Sequence, residues 1–237
     1  MILKSNINEV HNIKYLVFDI DGTLTRWTSI PGLIQAALNY FGIPYKDDYQ
    51  ELLFKAIAHN EAYTILHGRA SYETYGYCCI DNLPVLREYG VSGVNFATKM
   101  MELEKHFVYT NNNTKQTLQE LALYYRYLGL TNWFLKPALE KLDKCELLTY
   151  FDKIYSFETN YIKPSKLSLG RILFDYKLNL EELIIIGDSK TDMSAARSAE
   201  IKSILVDYDN NKQDIWDSAD AVITDFSDLK KVLVKKR

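Results

Sequence analysis

The chain has 237 residues, 47% of them hydrophobic, which is enough to bury a substantial core and a smaller second module. Its net charge of −3 argues against nucleic acid as a partner, and its cysteines, Cys78, Cys79 and Cys145, lack metal-ligand spacing and are interpreted as reduced thiols. The N-terminal run, residues 1–12, is polar and broken and predicts neither a signal peptide nor a membrane span, so we expect a cytoplasmic protein without a membrane partner.

The first predicted element is a short strand that ends in two acidic residues. Residues 15–18 are aromatic or aliphatic and too few for a helix, so they indicate a strand buried on both faces. Asp19 and Asp21 follow this strand, and Gly22 gives the backbone the freedom to turn. Two carboxylates at this position favour phosphate chemistry, because one can attack phosphorus while the other protonates the leaving oxygen and then activates water.

Two structural interpretations compete with this chemistry. A calcium loop of the EF-hand type that begins at Asp19 needs glycine at its sixth position and glutamate at its twelfth, but Leu24 and Ile30 stand there. An ordinary charged turn stays open on this motif alone, since short motifs also occur by chance. The rest of the chain decides between the turn and a catalytic site.

The segment after the first strand is predicted to be helical, because no strand pattern recurs in it. Proline opens the first helix and glycine ends the first two, at positions where these residues are favoured. The predicted helices span residues 31–41, 48–67 and 92–106.

Helices and strands alternate in the remainder of the chain, from the capping residue Asn113 onward. This alternation predicts an α/β fold with a doubly wound parallel sheet, whose strand-terminal polar groups lie at one edge. We therefore expect a catalytic core of residues 1–26 and 108–237, with an inserted helical cap domain of residues 27–107. The predicted strands lie near residues 126–131, 153–157, 183–186, 203–206 and 220–223.

Two weaker signals lie between the acidic motifs and gain meaning from their position. Thr131, followed by Asn132, ends a predicted strand that comes after a helical run over residues 117–125, so its hydroxyl can donate to a phosphate oxygen at the strand ends. Lys163 precedes a proline, which restricts it to extended geometry and helps to aim its ammonium at phosphate. Each signal alone also fits an ordinary turn or a solvated loop.

A second acidic cluster follows the apolar run of residues 183–186. Asp188 comes directly after a glycine turn at the end of this predicted strand, and Asp192 lies in a helix predicted to start near Thr191. A small set of carboxylate oxygens suits Mg²⁺ better than zinc or calcium. Helix capping by the same two acidic residues explains this segment equally well when it is taken by itself.

Taken in order, the four motifs resemble those of the haloacid dehalogenase (HAD) superfamily, in particular its phosphatases with a helical cap. The motifs are Asp-x-Asp-Gly-Thr from Asp19, the strand-terminal Thr131, the Lys-Pro pair at Lys163, and Gly-Asp-Ser-Lys-Thr-Asp ending at Asp192. The resemblance covers nearly the whole chain and implies a Rossmann-like core with an inserted cap.

The resemblance also implies catalytic roles for individual residues. Asp19 would be the nucleophile that becomes an aspartyl-phosphate, and Asp21 would be the general acid and base. Thr131 and Asn132 would contact the phosphate, and Lys163 would stabilise the negative charge of nucleophile and substrate.

A Mg²⁺ site follows from the same resemblance. Asp188 would bind the ion directly, and Asp192 would support the metal or orient Lys163. The expected metal set also includes Asp19 and Asp21, the latter through its backbone carbonyl.

Two positions differ from the usual pattern of the superfamily. Trp133 follows the second motif, where relatives often have a small residue, and Glu200 stands where glycine is usual. A second candidate for the threonine motif, residues 108–111, lies too far before Phe151, whereas Thr131 has the spacing typical of the family.

The expected function is a Mg²⁺-dependent phosphohydrolase that acts on a small phosphorylated metabolite through an aspartyl-phosphate. Phosphoglycolate, sugar-phosphate and nucleotide-type substrates all stay open, as do a monomer and a homodimer. A sugar phosphomutase of the same fold and a catalytically idle binding module are the alternatives. Dehalogenation itself is disfavoured, because it needs neither Asp21 nor the acidic metal cluster.

Overall fold

The computed structural model describes residues 2–3, 12–68 and 71–233, so most of the N-terminal run 1–12 lies outside the described residues. The chain divides into two compact units, one made of Met1–Arg26 with Thr110–Arg237 and the other of Trp27–Tyr109. A search of the described helices finds none with the length and apolar character needed to cross a membrane.

The strands of the described residues form one large sheet and one small one. The large sheet has the order β1-β9-β8-β7-β2-β5-β6, and β3 pairs with β4 in a two-stranded sheet. All pairs of the large sheet are parallel except β1 with β9, which is antiparallel. The strands are β1 (Ile2–Leu3), β2 (Tyr15–Phe18), β3 (Arg26–Trp27), β4 (Val108–Tyr109), β5 (Arg126–Leu130), β6 (Phe151–Tyr155), β7 (Leu183–Gly187), β8 (Lys202–Val206) and β9 (Ala221–Ile223).

The second unit is built mainly from helices. As predicted, a proline lies in the first turn of the first helix, and Gly68 ends the second helix in a left-handed conformation with φ of 66°. The helices are α1 (Ile30–Tyr40), α2 (Tyr49–His67), α3 (Tyr72–Asn82), α4 (Val85–Glu88) and α5 (Gly93–Leu103).

The helices of the first unit bury the sheet on both faces. Side chains alternate along β2, so that Leu16 and Phe18 join one apolar cluster while Tyr15 and Val17 join another. The fold class predicted from the sequence, a doubly wound parallel α/β sheet, is therefore confirmed. The helices are α6 (Thr114–Leu121), α7 (Leu135–Lys144), α8 (Lys166–Tyr176), α9 (Lys190–Ala199) and α10 (Leu229–Leu233).

Several element boundaries differ from the predictions. The helix predicted to run to residue 125 ends at Leu121, and the strand predicted at residues 153–157 spans Phe151–Tyr155. Helix α3 had no predicted counterpart, because its capping box pairs Ser71 with Thr74 rather than with the more recognisable glutamate or glutamine. The two-residue strand β1 is too short to produce a sequence period.

Glu200 offers a direct test of backbone strain at the end of α9. It follows α9 with a left-handed φ of 58°, a conformation that costs a residue with a side chain roughly 1–2 kcal/mol. We expect Glu200→Gly to raise the free energy of unfolding by about 0.5–1 kcal/mol, because the larger entropy of glycine in the unfolded chain offsets part of the relief. Urea unfolding measures this change as a higher midpoint at constant slope. Glu200→Ala keeps the strained Cβ and should give no gain, and a lower midpoint for the glycine variant would contradict the prediction.

Candidate active site

The carboxylate of Asp19 lies at the carboxyl end of β2, in the middle of the sheet. Its side chain is 10% exposed, and its backbone N–H donates to the carbonyl of Ile186 in β7 at 2.9 Å. Oδ1 accepts a hydrogen bond from Nζ of Lys163 at 2.6 Å, and Oδ2 accepts one from the Thr23 hydroxyl at 3.3 Å. The nucleophile predicted from the sequence thus has an ammonium on one oxygen and a hydroxyl on the other.

Lys163 is buried between two carboxylates, with only 2% of its side chain exposed. Its ammonium donates to Asp19 and Asp192 at 2.6 Å each and to the carbonyl of Leu130 at 2.9 Å, and the peptide bond to Pro164 is cis. Burial acts to lower the pKa of Lys163, but the two carboxylates outweigh it and hold the pKa above its ordinary value. This residue is therefore a fixed cation beside Asp19.

The segment after β5 holds the lysine loop in place. The Asn132 side chain donates through Nδ2 to the Lys163 carbonyl and accepts from the Lys163 N–H through Oδ1, both at 2.8 Å. Thr131 is buried, and its hydroxyl oxygen accepts the Trp133 N–H at 3.1 Å while its own N–H donates to the Tyr155 carbonyl. The side chain of Asn132, a residue predicted to contact phosphate, thus binds the backbone of Lys163.

Asp192 caps its helix, as one of the two interpretations of the sequence predicted, and it also contacts Lys163. It is the third residue of α9, where Oδ2 accepts the Ser189 N–H at 3.0 Å and the Ser189 hydroxyl accepts the Asp192 N–H at 3.3 Å. Its other oxygen, Oδ1, accepts from Lys163. Because the cap and the lysine contact use different oxygens, Asp192 can cap the helix and hold the lysine ammonium at the same time.

Asp188 follows β7 and pairs with a lysine from a distant loop. Nζ of Lys212 donates to its Oδ2 at 2.6 Å and to its carbonyl at 2.7 Å, and the Thr23 hydroxyl lies 3.4 Å from Oδ1. Thr23 consequently contacts both Asp19 and Asp188. This hydroxyl joins the acidic groups that end the neighbouring strands β2 and β7.

Glycine is required at two positions beside these carboxylates. Gly22 has φ of 93°, and a Cβ at this position would collide with the carboxylate of Asp188. A Cβ at Gly187 would collide with the carboxylate of Asp192. The glycine of each acidic motif therefore leaves space for the carboxylate of a neighbouring segment.

Asp19, Asp188 and Asp192 form a group that can hold a cation. Each offers a carboxylate oxygen, and these oxygens lie within 4.8 Å of one another. Burial raises the pKa of Asp19, opposed by Lys163, and it raises the pKa of Asp188, opposed by Lys212. The charge of Asp192 also raises the pKa of Asp19 and of Asp188, so a divalent cation among these oxygens would relieve the repulsion.

Asp21 points to a different partner. Its Oδ1 accepts from Nζ of Lys141 at 2.6 Å and from the Thr25 hydroxyl at 3.3 Å. Its side chain is not part of the three-carboxylate group. The metal role predicted for Asp21 concerned its backbone carbonyl, which these side-chain contacts do not involve.

Three residues of this site were not among those predicted from the sequence. Thr23 belongs to the first motif, so its position after the acidic pair was an available signal. Lys141 and Lys212 carried no such signal, because they reach Asp21 and Asp188 from 120 and 24 residues away.

The threonine of the second candidate motif has a backbone partner in the first motif's loop. The hydroxyl of Thr110 donates to the carbonyl of Leu24 at 2.8 Å. Thr131, by contrast, directly follows β5, the neighbour of β2, as the spacing of the motifs predicted.

A family model matches a range of the chain that includes all four motifs. The model of the family described as haloacid dehalogenase-like hydrolase matches residues 16–206. A phosphoglycolate phosphatase from Photorhabdus laumondii is 31% identical over 122 residues, which is 48% of this chain and 51% of that protein. The match therefore spans about half the length of this curated relative.

Solved structures share the fold at low sequence identity. A protein from Thermotoga maritima proposed to be a beta-phosphoglucomutase superposes with a TM-score of 0.70 at 19% identity, covering 94% of this chain and 100% of that one. A magnesium-bound protein from Bacillus subtilis, proposed to be a HAD hydrolase, gives a TM-score of 0.71 at 17% identity, covering 94% and 99%. The family model spans most of the sequence, and so the chain belongs to the haloacid dehalogenase-like hydrolases.

Proposed function

We propose that this protein is a Mg²⁺-dependent phosphatase that cleaves a small phosphate monoester through an aspartyl-phosphate. The observation that carries the proposal is the contact of the Asp19 carboxylate with Lys163 inside a group of three carboxylates at the ends of parallel strands. Open α/β sheets bind their ligands at this edge. The similarity to a phosphoglycolate phosphatase supports the same activity.

In the proposed first step, an Asp19 oxygen attacks phosphorus in line with the leaving group. A bond forms between Asp19 and phosphorus while the bond to the substrate alcohol breaks, and Asp21 gives its proton to the leaving oxygen. Lys163 offsets the repulsion between the anionic nucleophile and the anionic phosphate. This role suits an ammonium that carboxylates hold at 2.6 Å in the buried site.

In the second step, water attacks the aspartyl-phosphate. Asp21, now ionised, takes a proton from this water, and inorganic phosphate and the free Asp19 carboxylate are released. Asp21 suits both steps because it lies two residues beyond the nucleophile and is partly exposed. It returns to its protonated state with each turnover.

We propose Asp19 and Asp188 as the side chains that hold Mg²⁺, with the backbone carbonyl of Asp21 as a third ligand and Asp192 in support. The donors fit this ion, since a few carboxylate and carbonyl oxygens leave coordination sites for water and phosphate. When bound, the ion supplies charge neutralisation for the phosphoryl oxygens. The magnesium-bound structural neighbour supports this choice of metal.

Phosphate binding is assigned to the segment after β5. Thr131 accepts a hydrogen bond through its hydroxyl oxygen, which keeps its own proton for donation to a phosphate oxygen. Asn132 binds the lysine loop with its side chain, so we assign its phosphate contact to the backbone N–H.

The helical unit Trp27–Tyr109 is proposed to act as the cap domain of the enzyme. Its insertion between the first and second motifs supports this assignment. A phosphomutase is the second candidate, since a structural neighbour is proposed to be a beta-phosphoglucomutase. The two candidates differ in whether water or a sugar hydroxyl receives the phosphoryl group.

A panel of phosphorylated metabolites, assayed with Mg²⁺, tests the proposal and separates the two candidates. We expect at least one metabolite to yield inorganic phosphate and alcohol in equal amounts. A mutase would instead convert a sugar phosphate, in the presence of a trace of bisphosphate, into an isomer with little free phosphate. Isomer formation without phosphate release would favour the mutase, and an inactive protein across the panel would favour a binding module.

Removal of the metal tests the acidic group directly. We expect EDTA to lower turnover by about 100-fold and added Mg²⁺ to restore it, because the lysines alone then offset the charge of the carboxylates and the anionic substrate. Calorimetric titration of the metal-free protein with Mg²⁺ measures binding independently of activity. Full activity in chelator would exclude Asp188 from a metal role.

A further inference from the structure

Lys141 is a buried lysine outside the four motifs, and its ammonium reaches the proposed acid and base. It lies in α7, its side chain is 1% exposed, and its Nζ donates to Oδ1 of Asp21 at 2.6 Å. The side chain of Asp21 is 27% exposed. The pair is therefore asymmetric, with the cation in the interior and the carboxylate towards solvent.

The position of Lys141 in its helix is one that apolar residues usually fill. Pro137, Ala138 and Leu142 are the other buried residues of α7, and Ala138 and Leu142 belong to the apolar core. An ammonium among such neighbours is costly unless charged or polar partners compensate it. The contact with Asp21 supplies a charged partner and gives this lysine a specific place beside the reacting groups.

The contacts of Asp21 distinguish its two oxygens. Lys141 and the Thr25 hydroxyl both donate to Oδ1. Two donors on one oxygen fix the plane and direction of a carboxylate, so Oδ2 is the oxygen left to exchange a proton with the leaving group and with water. The arrangement matches what general acid–base catalysis requires, which is a proton-transfer atom held in a fixed direction.

We propose that Lys141 is a positioning residue for Asp21, holding Oδ1 so that Oδ2 faces the reaction. This inference rests on the proposed function, because it assumes that Asp21 transfers protons in the phosphatase cycle. Lys141 acts through Asp21 and has no direct contact with the phosphoryl group in this proposal. Its loss should therefore affect the steps that use Asp21 and spare the attack by Asp19.

The test compares two phosphate monoesters with different leaving groups. Nitrophenolate leaves without a proton, whereas an alkoxide needs one from Asp21. We expect Lys141→Met to slow turnover of an alkyl phosphate by about 100-fold. With nitrophenyl phosphate it should release the first equivalent of nitrophenol at close to the wild-type rate and then slow, because water attack still needs Asp21. If Lys141→Met slowed the attack by Asp19 equally for the alkyl phosphate and for nitrophenyl phosphate, the proposal would be overturned.

A double-variant cycle shows whether the lysine acts through the aspartate. If it does, Asp21→Asn combined with Lys141→Met is no slower than Asp21→Asn alone. If the loss of rate in the double variant were instead the product of the losses in the two single variants, the proposal would be overturned. Lys141→Gln, which keeps a donor for Oδ1 without the charge, should retain more activity than the methionine variant, and it replaces that variant in the cycle should Lys141→Met fail to fold.

Controls separate this proposal from the function on which it rests. Lys136→Met alters an exposed lysine of the same helix and should keep wild-type rates and melting temperature. A wild-type protein that releases no phosphate from any ester would contradict the proposed function itself. An active wild type with multiplicative losses at Asp21 and Lys141 would contradict the positioning role alone.

Discussion

Asp19→Asn is expected to lower turnover by on the order of 10⁵-fold or more while leaving the protein folded. The amide keeps the size of the side chain but is not a nucleophile, so the aspartyl-phosphate cannot form. Turnover of the metabolite identified in the panel measures the loss. Labelling with a phosphate donor, followed by acid quenching, should give a phosphorylated wild type and an unlabelled variant.

The fold should survive this change because the charge on Asp19 is already costly. Burial raises the pKa of Asp19, which means that the folded protein disfavours the ionised form. Lys163 also keeps its contacts with Asp192 and the Leu130 carbonyl when Asp19 is neutral. We therefore expect the free energy of unfolding without metal to change by no more than about 1 kcal/mol.

A matched exchange tests whether the loss is specific to this carboxylate. Asp152→Asn removes the charge of an aspartate in β6 that pairs with Arg126 at 2.8 Å, away from the acidic group. It should keep full activity. Substantial turnover in Asp19→Asn, or a comparable loss in Asp152→Asn, would contradict the assignment of the nucleophile.

The sequence predicted the strands of the core because their burial leaves a local pattern. Strands covered on both faces appear as short apolar runs, and residues 15–18 and 183–186 are such runs, each followed closely by acidic residues. Parallel strands place their carboxyl ends at one edge, so neighbouring runs bring Asp19 and Asp188 together. The strands and the position of these carboxylates at their carboxyl ends therefore follow from local signals, whereas the pairing of β2 with β7 was found only in the structure.

The ammonium partners of Asp21 and Asp188 could not be predicted in the same way. Lys141 lies in a helix whose period predicts an apolar residue, and Lys212 lies in a polar loop, where a lysine is ordinary. Their meaning depends on three-dimensional contacts with Asp21 and Asp188. At Glu200, the sequence shows a glutamate where the superfamily usually has glycine. It does not show that this residue adopts a left-handed backbone conformation.

Lys163→Met is expected to reduce both stability and activity, since the lysine pairs with two buried carboxylates and is proposed to act in the reaction. Methionine fills a similar volume without charge, which leaves Asp19 and Asp192 facing each other in the interior. Removing one partner of a buried ion pair costs about 3–5 kcal/mol. We expect the free energy of unfolding to fall by about this amount in the absence of metal, measured by urea unfolding.

Mg²⁺ should reduce the difference in stability between Lys163→Met and the wild type without restoring the activity of the variant. Without the Lys163 ammonium, the carboxylates attract Mg²⁺ more strongly. A ligand that binds only the folded protein raises the stability of that protein, and tighter binding raises it more. The melting temperature of Lys163→Met should therefore rise more with Mg²⁺ than that of the wild type. Its turnover should stay about 10³-fold below the wild type, because the phosphoryl oxygens still lack the ammonium.

Lys115→Met provides the control for this last prediction. Lys115 pairs with Glu146 at the surface, where solvent screens the interaction, so its loss should have no measurable effect on unfolding or turnover. An unchanged stability of Lys163→Met without metal would mean that the two buried carboxylates do not depend on the lysine. If Mg²⁺ alone restored the turnover of Lys163→Met, the lysine would serve only to balance the charge of the carboxylates and would have no role in the reaction.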